Sequence, residues 1–570
     1  MRCWLCSALL ISVSGCRNED SASQPMVHPR PSASVTFVDI SESSNVHFDY
    51  QNGRESRLYA ILESLGGGCA ALDFDRDGKV DIFAPGGGAF SEGSQINGQA
   101  SSLLRANPAL KWESVADAAG CSISRFYSHG CTVADADSDG FADIVVTGYG
   151  GLQFFKNLGD GTFVELAADT GLNDKLWSSS AGWGDLNGDG FADLYVAHYA
   201  DWSFANNPAC PGAGPDGRDV CPPREFQPLD DALYLNNADG SFLESSQASG
   251  LVPGGKGLGV LLGDFDQDLD TDIYVANDTT PNFLYQNDGT GQLTEIGLAS
   301  GTALDDRGVP NGSMGTATAD FDGDGLPDLW VTNFEMETFG LYRNRGQCQF
   351  QHVSRDSGVN AIGSRLVGFG TVAEDFDLDG DVDIVVSNGH VIYYPTGGET
   401  AQVPVYLENQ GNGVFRKISP GQDEGYFQTK HVGRGLVTAD INQDGRVDLI
   451  ASHLTGPGSV LRNETATTGS SICVQLVGVT SNRDGLGAIV ILITTAGEQV
   501  RQQTGGGSYL SQNEALLHFG VPLQQEITDL TVVWPSGKRQ AFLLGGRRNV
   551  KMTVHEGREE PYFEQLWRAN

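Results

Sequence analysis

Seven times along this chain, carboxylates or their amides stand at positions 1, 3, 5 and 9 of a nine-residue window that runs straight into a β-like apolar stretch. The windows are "DFDRDGKVD" (Asp73, Asp75, Asp77, Asp81), "DADSDGFAD" (Asp135, Asp137, Asp139, Asp143) and "DLNGDGFAD" (Asp185, Asn187, Asp189, Asp193). They continue with "DFDQDLDTD" (Asp264, Asp266, Asp268, Asp272), "DFDGDGLPD" (Asp320, Asp322, Asp324, Asp328), "DFDLDGDVD" (Asp375, Asp377, Asp379, Asp383) and "DINQDGRVD" (Asp440, Asn442, Asp444, Asp448). Like charges a few ångströms apart repel, and plain acidic surface turns would leave that repulsion uncompensated. Carboxylates at this spacing, a backbone carbonyl near position 7 and a turn-forming Gly at position 6 make an oxygen cage suited to Ca2+, which accepts six to eight oxygens in flexible geometry. The expected cofactor is therefore Ca2+, up to seven ions. An EF-hand is excluded, because position 12 holds Ala84, Val146, Val196, Val275, Val331, Val386 or Ala451 instead of Glu. Leu269 at position 6 of the fourth loop, and Asn187 and Asn442 in the third and seventh, predict weaker sites there.

The elements that must hold these loops also recur. Each loop follows a Gly-rich strand candidate such as "GLGVLLG" or "GFGTVAE" and leads into a second one such as "LYVA" or "LWVT". A hairpin comes next, for example "FFKNLGDGTF" or "LYLNNADGSF", with Asn, Gly and Asp supplying turn conformations. The loops are spaced by 62, 50, 79, 56, 55 and 65 residues, and about four short strands at that period predict a β-propeller blade. An outer-strand element near Phe37 precedes the first loop, while none follows "SVLRNET" after the last. The expectation is an all-β chain: a seven-bladed β-propeller over 36–465 closed by its N-terminal strand, then a small β-sandwich-like domain over 470–555 and a tail over 556–570.

With 73 acidic against 35 basic residues and a net charge of −38, the chain is unsuited to nucleic acid or to anionic lipid surfaces. Seven divalent ions would bring the charge to −24. Residues 1–16 read as a signal peptide whose Val13-Ser14-Gly15-Cys16 ending resembles a bacterial lipobox, with Cys16 the lipidated residue; 17–35 read as a flexible tether. No later run is long and apolar enough to span a bilayer, so any membrane contact is through that N-terminal anchor. The expected location is the bacterial cell envelope, lipid-anchored or otherwise secreted. In an exported chain, Cys210 and Cys221, bracketing a Gly/Pro loop, are the best disulfide candidates. Cys131 is open to pairing with Cys121 or Cys69, and the odd count beyond the signal region leaves a free thiol.

The seven acidic windows resemble the FG-GAP/VCBS repeats also seen in the integrin α-chain head, over about residues 36–465. The remainder resembles the ASPIC/UnbV domain, as found in the cartilage acidic protein family, through Ser481-Asn482-Arg483-Asp484, "GSYLSQ" from Gly507, "LHFG" from Leu517 and "WPSG" from Trp534. The resemblance implies calcium and an extracytoplasmic location more firmly than any activity.

In such a repeat the chain returns on the face opposite the acidic loops. That face is expected to carry His129, Arg307, Arg365, His431 and Arg434 before inner strands, and His198, Asn277, Asn333, Asn388, His390 and His453 at the exits of second strands. Their charge predicts a comparatively basic, hydrogen-bonding surface suited to an acidic glycan or an acidic protein loop; unrelated polar loop residues are the alternative. No nucleophile elbow, HExxH or phosphate-binding loop is present, and His518 in "LLHFGV" reads as a core histidine. The function expected is a cell-surface binding or adhesion module for an extracellular glycan or protein, with no catalytic residue. The alternatives are an enzyme acting on extracellular polysaccharide from the His/Arg face, and a structural surface-layer role.

Overall fold

The computed structural model describes residues 34–91, 95–421, 425–467 and 469–566. The proposed signal peptide, its Cys16 and all but the end of the tether lie outside them. Residues Ala33–Asn570 form one compact unit. Among the described residues no helix is long and apolar enough to cross a membrane.

Each acidic loop is the turn of a hairpin between the first two strands of a four-stranded antiparallel sheet. In the second sheet, for example, Tyr127–Ala134, Asp143–Tyr149, Gly151–Asn157 and Phe163–Glu165 follow in order, so that all connections are short hairpins. The sheet holding the seventh loop departs from this pattern. Its first three strands are Gly433–Ala439, Asp448–His453 and Ser459–Asn463, and its fourth is the N-terminal Phe37–Asp39, paired Phe37 to Asn463. An edge otherwise left open is thus covered.

Both faces of these sheets are apolar, and one cluster joins each sheet to the next. Leu72 and Phe83 of the first pack with Ile144 and Phe155 of the second; Val372 and Tyr406 of the sixth with Leu449 and Leu461 of the seventh. A further cluster places Val437 and Ile450 of the seventh sheet against Ile82 and Leu104 of the first. The series of contacts therefore returns to its start.

The C-terminal region is two four-stranded sheets facing across a core of Ile472, Val490, Phe519, Leu530, Trp534 and Met552. One contains a parallel pair, Gly469–Val477 with Val550–His555. The tail expected from 556 onward is in part ordered: Tyr562–Gln565 forms the edge strand beside Val550–His555.

This domain is not a separate appendage. Its "GGGSYLSQN" segment threads among the first strands of the repeat sheets. Gly505–Gly506 pairs with Leu261 and Leu262 as a fifth strand of the fourth sheet. Ser508 exchanges backbone bonds with Thr316, while its hydroxyl donates to Leu436 O and accepts from Thr371 N. Leu510 O accepts from Cys131 N, and Gln512 bonds Cys69 and Ala71 through its backbone and Thr132 through its side chain. The glycines are required by space: a Cβ on Gly505 would lie 1.7 Å from Trp183 O.

Candidate metal centres and the opposite face

Each acidic loop is folded by its own side chains. In the fifth, Asp320 accepts from the backbone N–H of Asp324 (3.0 Å) and Gly325 (2.9 Å), and Asp324 accepts from Leu326 N–H (3.0 Å). The same bonds recur at Asp73, Asp185, Asp375 and Asp440. Such Asx bonds wrap the chain around its carboxylates. Position 4 is also left-handed, including the non-glycines Arg76, Ser138, Gln267, Leu378 and Gln443, as is Leu269 at position 6 with φ 76°. These conformations cost side-chain-bearing residues about 1–2 kcal/mol each.

Position 9 has a second duty that the spacing alone does not reveal. Asp143 accepts from Ala136 N at one oxygen and Asn157 N at the other; Asp193, Asp272, Asp328 and Asp448 repeat the pattern, and all five are at most 1% exposed. The Asn that ends each third strand then reaches the preceding sheet. Asn157 donates to Phe74 O, Asn236 to Ala136 O, Asn287 to Leu186 O, Asn344 to Phe265 O, Asn409 to Phe321 O and Asn463 to Phe376 O. Ala106 holds this place in the first sheet. The recurrent "KN", "LN", "QN", "RN" and "EN" endings were the available signal for these staples.

The carboxylates converge as the spacing requires. Oxygens of Asp73, Asp75 and Asp81, of Asp135, Asp137 and Asp143, of Asp264, Asp266 and Asp268, and of Asp320, Asp322 and Asp324 lie within 4.8 Å of one another. Buried oxygens of Asp135, Asp266, Asp322 and Asp377 find no protein hydrogen-bond donor. Burial, with Asp484 beside it, pushes Asp135 up to about 7, and burial raises Asp81, Asp143, Asp193 and Asp328 to about 8. All-oxygen donors, close spacing and orphaned buried oxygens fit a hard divalent cation. Bases enter some loops: Arg105 lies 2.5 Å from Asp75, Arg343 2.9 Å from Asp322, and Lys156 pairs with Asp137.

The opposite face corrects the expected ligand surface. His129 (1% exposed), His198 (1%), His390 (1%), Arg434 (0%) and His453 (4%) are interior. Burial lowers His129 to about 3; its Nδ1 is 3.1 Å from Tyr50 OH. Arg434 stacks over Phe369 and donates to Ser64 O and Gly433 O. His453 stacks on the half-buried His431, and His198 Nε2 meets Asp174 at 2.6 Å. Asn277, Asn333 and Asn388 donate to Pro281 O, Thr338 O and Val403 O. Arg307 and Arg365 are exposed, and Arg307 is held by Asp305. The sequence could not foresee how segments 50–65 and 199–229 would cover these groups with Leu62, Tyr199, Trp202 and Phe226.

What remains open there is a cavity of about 730 Å3. Its walls include Tyr199, Met314 and Tyr394, and its charged groups are Asp219, Glu225, Asp278, Glu335 and Glu337 against Arg224. Asp219 accepts from the backbone of Tyr393 and Tyr394, and Asp278 accepts from Tyr199 OH at 2.6 Å. The lining of this cavity is acidic, not basic. The Cys210–Cys221 disulfide forms as the spacing suggested and borders this cavity. Cys69, Cys121 and Cys131, by contrast, are free buried thiols, as are Cys348 and Cys473. The step of 79 residues between the third and fourth loops was the sequence signal for this excursion.

Two family models match parts of the chain. The family model for FG-GAP-like repeat matches residues 135–196, 264–331, 320–386 and 375–451, and that for ASPIC and UnbV matches 478–559. Cartilage acidic protein 1 of Homo sapiens is 29% identical over 297 residues, covering 50% of this chain and 41% of that protein; the Xenopus tropicalis protein is 28% identical over 288 residues, covering 50% and 42%. The chain thus spans less than half the length of these curated relatives. Among solved structures, an Agrocybe aegerita lectin that recognises non-reducing terminal N-acetylglucosamine is similar at TM-score 0.38 and 18% identity, covering 64% of this chain and 88% of its own. The Dos1 propeller is similar at TM-score 0.37 and 7% identity, covering 75% and 95%. By its acidic loops and its C-terminal hallmarks together, the chain is a protein of FG-GAP-like repeats followed by an ASPIC and UnbV domain.

Proposed function

We propose that this protein is an exported binding module: a closed seven-bladed β-propeller whose acidic loops hold Ca2+ and whose opposite face takes an extracellular glycan or protein ligand. Closure is supported by the contacts that lead from the seventh sheet back to the first. Calcium is supported by the orphaned buried carboxylate oxygens. When bound, the ion would supply positive charge to carboxylates that otherwise repel; Asp and Asn at positions 1, 3 and 5 would hold it, while position 9 also ties the loop to its sheet. Export is supported by the disulfide and by the signal-like start, and the lipobox-like Cys16 makes a bacterial envelope anchor part of the same reading.

The observation that carries the binding role is the cavity at the end away from the acidic loops. Its carboxylates and tyrosines favour a neutral glycan or a basic protein segment over the acidic ligand that the His and Arg positions had suggested. A panel of neutral, basic and sulfated ligands tests this: binding without product, weakened by Asp278→Asn, is expected. Release of shorter chains would instead identify an enzyme, and calcium-dependent self-association alone would identify a structural layer protein.

A further inference from the structure

In four repeat sheets the residue just before the Asn staple, or before Ala106 in its place, reaches position 3 of its own acidic loop. Arg105, Lys156 and Arg343 place a cation on position 3 of the first, second and fifth loops, and Gln286 bonds Asp266 in the fourth. In the sixth sheet this place is taken by an acid, Glu408, which is 3% exposed. Its Oε2 accepts from Arg416 Nη2 (2.5 Å) and Gln410 Nε2 (2.6 Å), whereas its Oε1 is buried without a donor. Asp377, 4% exposed, also has a buried oxygen without a donor, and Glu408 stands at the register position from which Lys156 and Arg343 reach position 3 of their own loops. Position 7 of this loop adds Asp381, as the fourth adds Asp270, where the first, second, third, fifth and seventh loops have Lys79, Phe141, Phe191, Leu326 and Arg446. Arg416 offsets charge at Glu408 Oε2, but the buried Oε1 and the buried Asp377 oxygen, both without donors, remain unfavourable unless a further cation meets them.

We propose that the sixth loop is the tightest calcium site of the chain and that Glu408 supplies a ligand oxygen from outside the loop. This rests on the reading that the acidic loops hold Ca2+. It predicts a hierarchy set by the third strand: where a base pairs with position 3, Ca2+ must displace it, and where Glu408 stands an extra carboxylate favours binding, since ligand charge tunes calcium affinity over decades.

Calcium titration of the full chain by calorimetry, against a competing chelator of known affinity, tests this. The wild type should show one site at least about tenfold tighter than the rest. Glu408→Gln should abolish that class and leave the weaker sites. Glu408→Lys, which recreates the arrangement of Lys156 and Asp137, should do the same, and Arg343→Glu should add a second tight site. Circular dichroism in chelator confirms that the variants are folded. If Glu408→Gln leaves the tight class unchanged, the inference is wrong. If the wild type binds no calcium, the proposed function fails with it; calcium bound in one uniform class unaffected by Glu408→Gln sinks this inference alone.

Discussion

The two ends of the repeat region use recurring residues in opposite ways. At the acidic-loop end, the aspartates at positions 1 and 5 bond backbone groups two to five residues away, so the same nine residues give the same local structure each time. At the other end, recurring His, Arg and Asn positions meet segments found once in the chain, and His129, His198 and Arg434 are sealed inside. Repetition is therefore a reliable guide to structure where side chains satisfy their own loop, and a poor one where a unique insertion decides what stays exposed.

The largest test of this contrast is removal of calcium. Each independent site at about 100 times its Kd adds roughly 2.7 kcal/mol, so excess chelator should lower the thermal transition by many degrees; no shift would mean that the acidic end stands without the ion. Next is the segment that meets the first strands of all the sheets. Gly505→Ala forces a Cβ against Trp183 O and should cost about 3 kcal/mol in urea unfolding, as overpacking of a close backbone contact does. Asn287→Ala leaves Leu186 O and Thr271 O without their donor and should cost about 2 kcal/mol. Ala106→Asn, which installs the staple missing from the first sheet, should change stability by less than about 1 kcal/mol in the favourable direction. The smallest effect belongs to the opposite end. Burial opposes protonation of His198, but Asp174 outweighs it and holds the imidazole above its ordinary value. Its contribution is thus complete below the unfolded pKa of about 6.5 and lost as pH rises through the folded value. Stability should decline over that range, and His198→Asn should flatten the slope.

Much of the fold was legible. The period, the four strands per repeat and the displaced outer strand near Phe37 follow from apolar alternation and turn residues, and the structure pairs Phe37 with Asn463. The convergence of the carboxylates was legible because acids at alternate positions of a tight turn are brought together by the turn itself. Asp81, Asp143 and their equivalents were read only as ligands, because the third-strand backbone N–H that occupies one oxygen of each comes from more than ten residues away. Cys131 was read as a disulfide partner of Cys121 or Cys69 from proximity in sequence or repeat, yet all three stay reduced in the core between the sheets. The Cys210–Cys221 pair was legible since eleven residues of Gly/Pro loop bring its ends together without help from the rest of the chain.

By itself the sequence determined what depends on short range: the acidic loops, the hairpins, the strand order within each sheet and the local disulfide. Only the tertiary structure decided which polar residues remain accessible, that "GGGSYLSQN" reaches back among the repeat sheets, and that Glu408 stands where other sheets place a base. The reason is physical. A turn is fixed by the φ angles and side-chain bonds of its own residues, whereas burial and the sign of a neighbouring charge depend on chain segments as far as hundreds of residues distant.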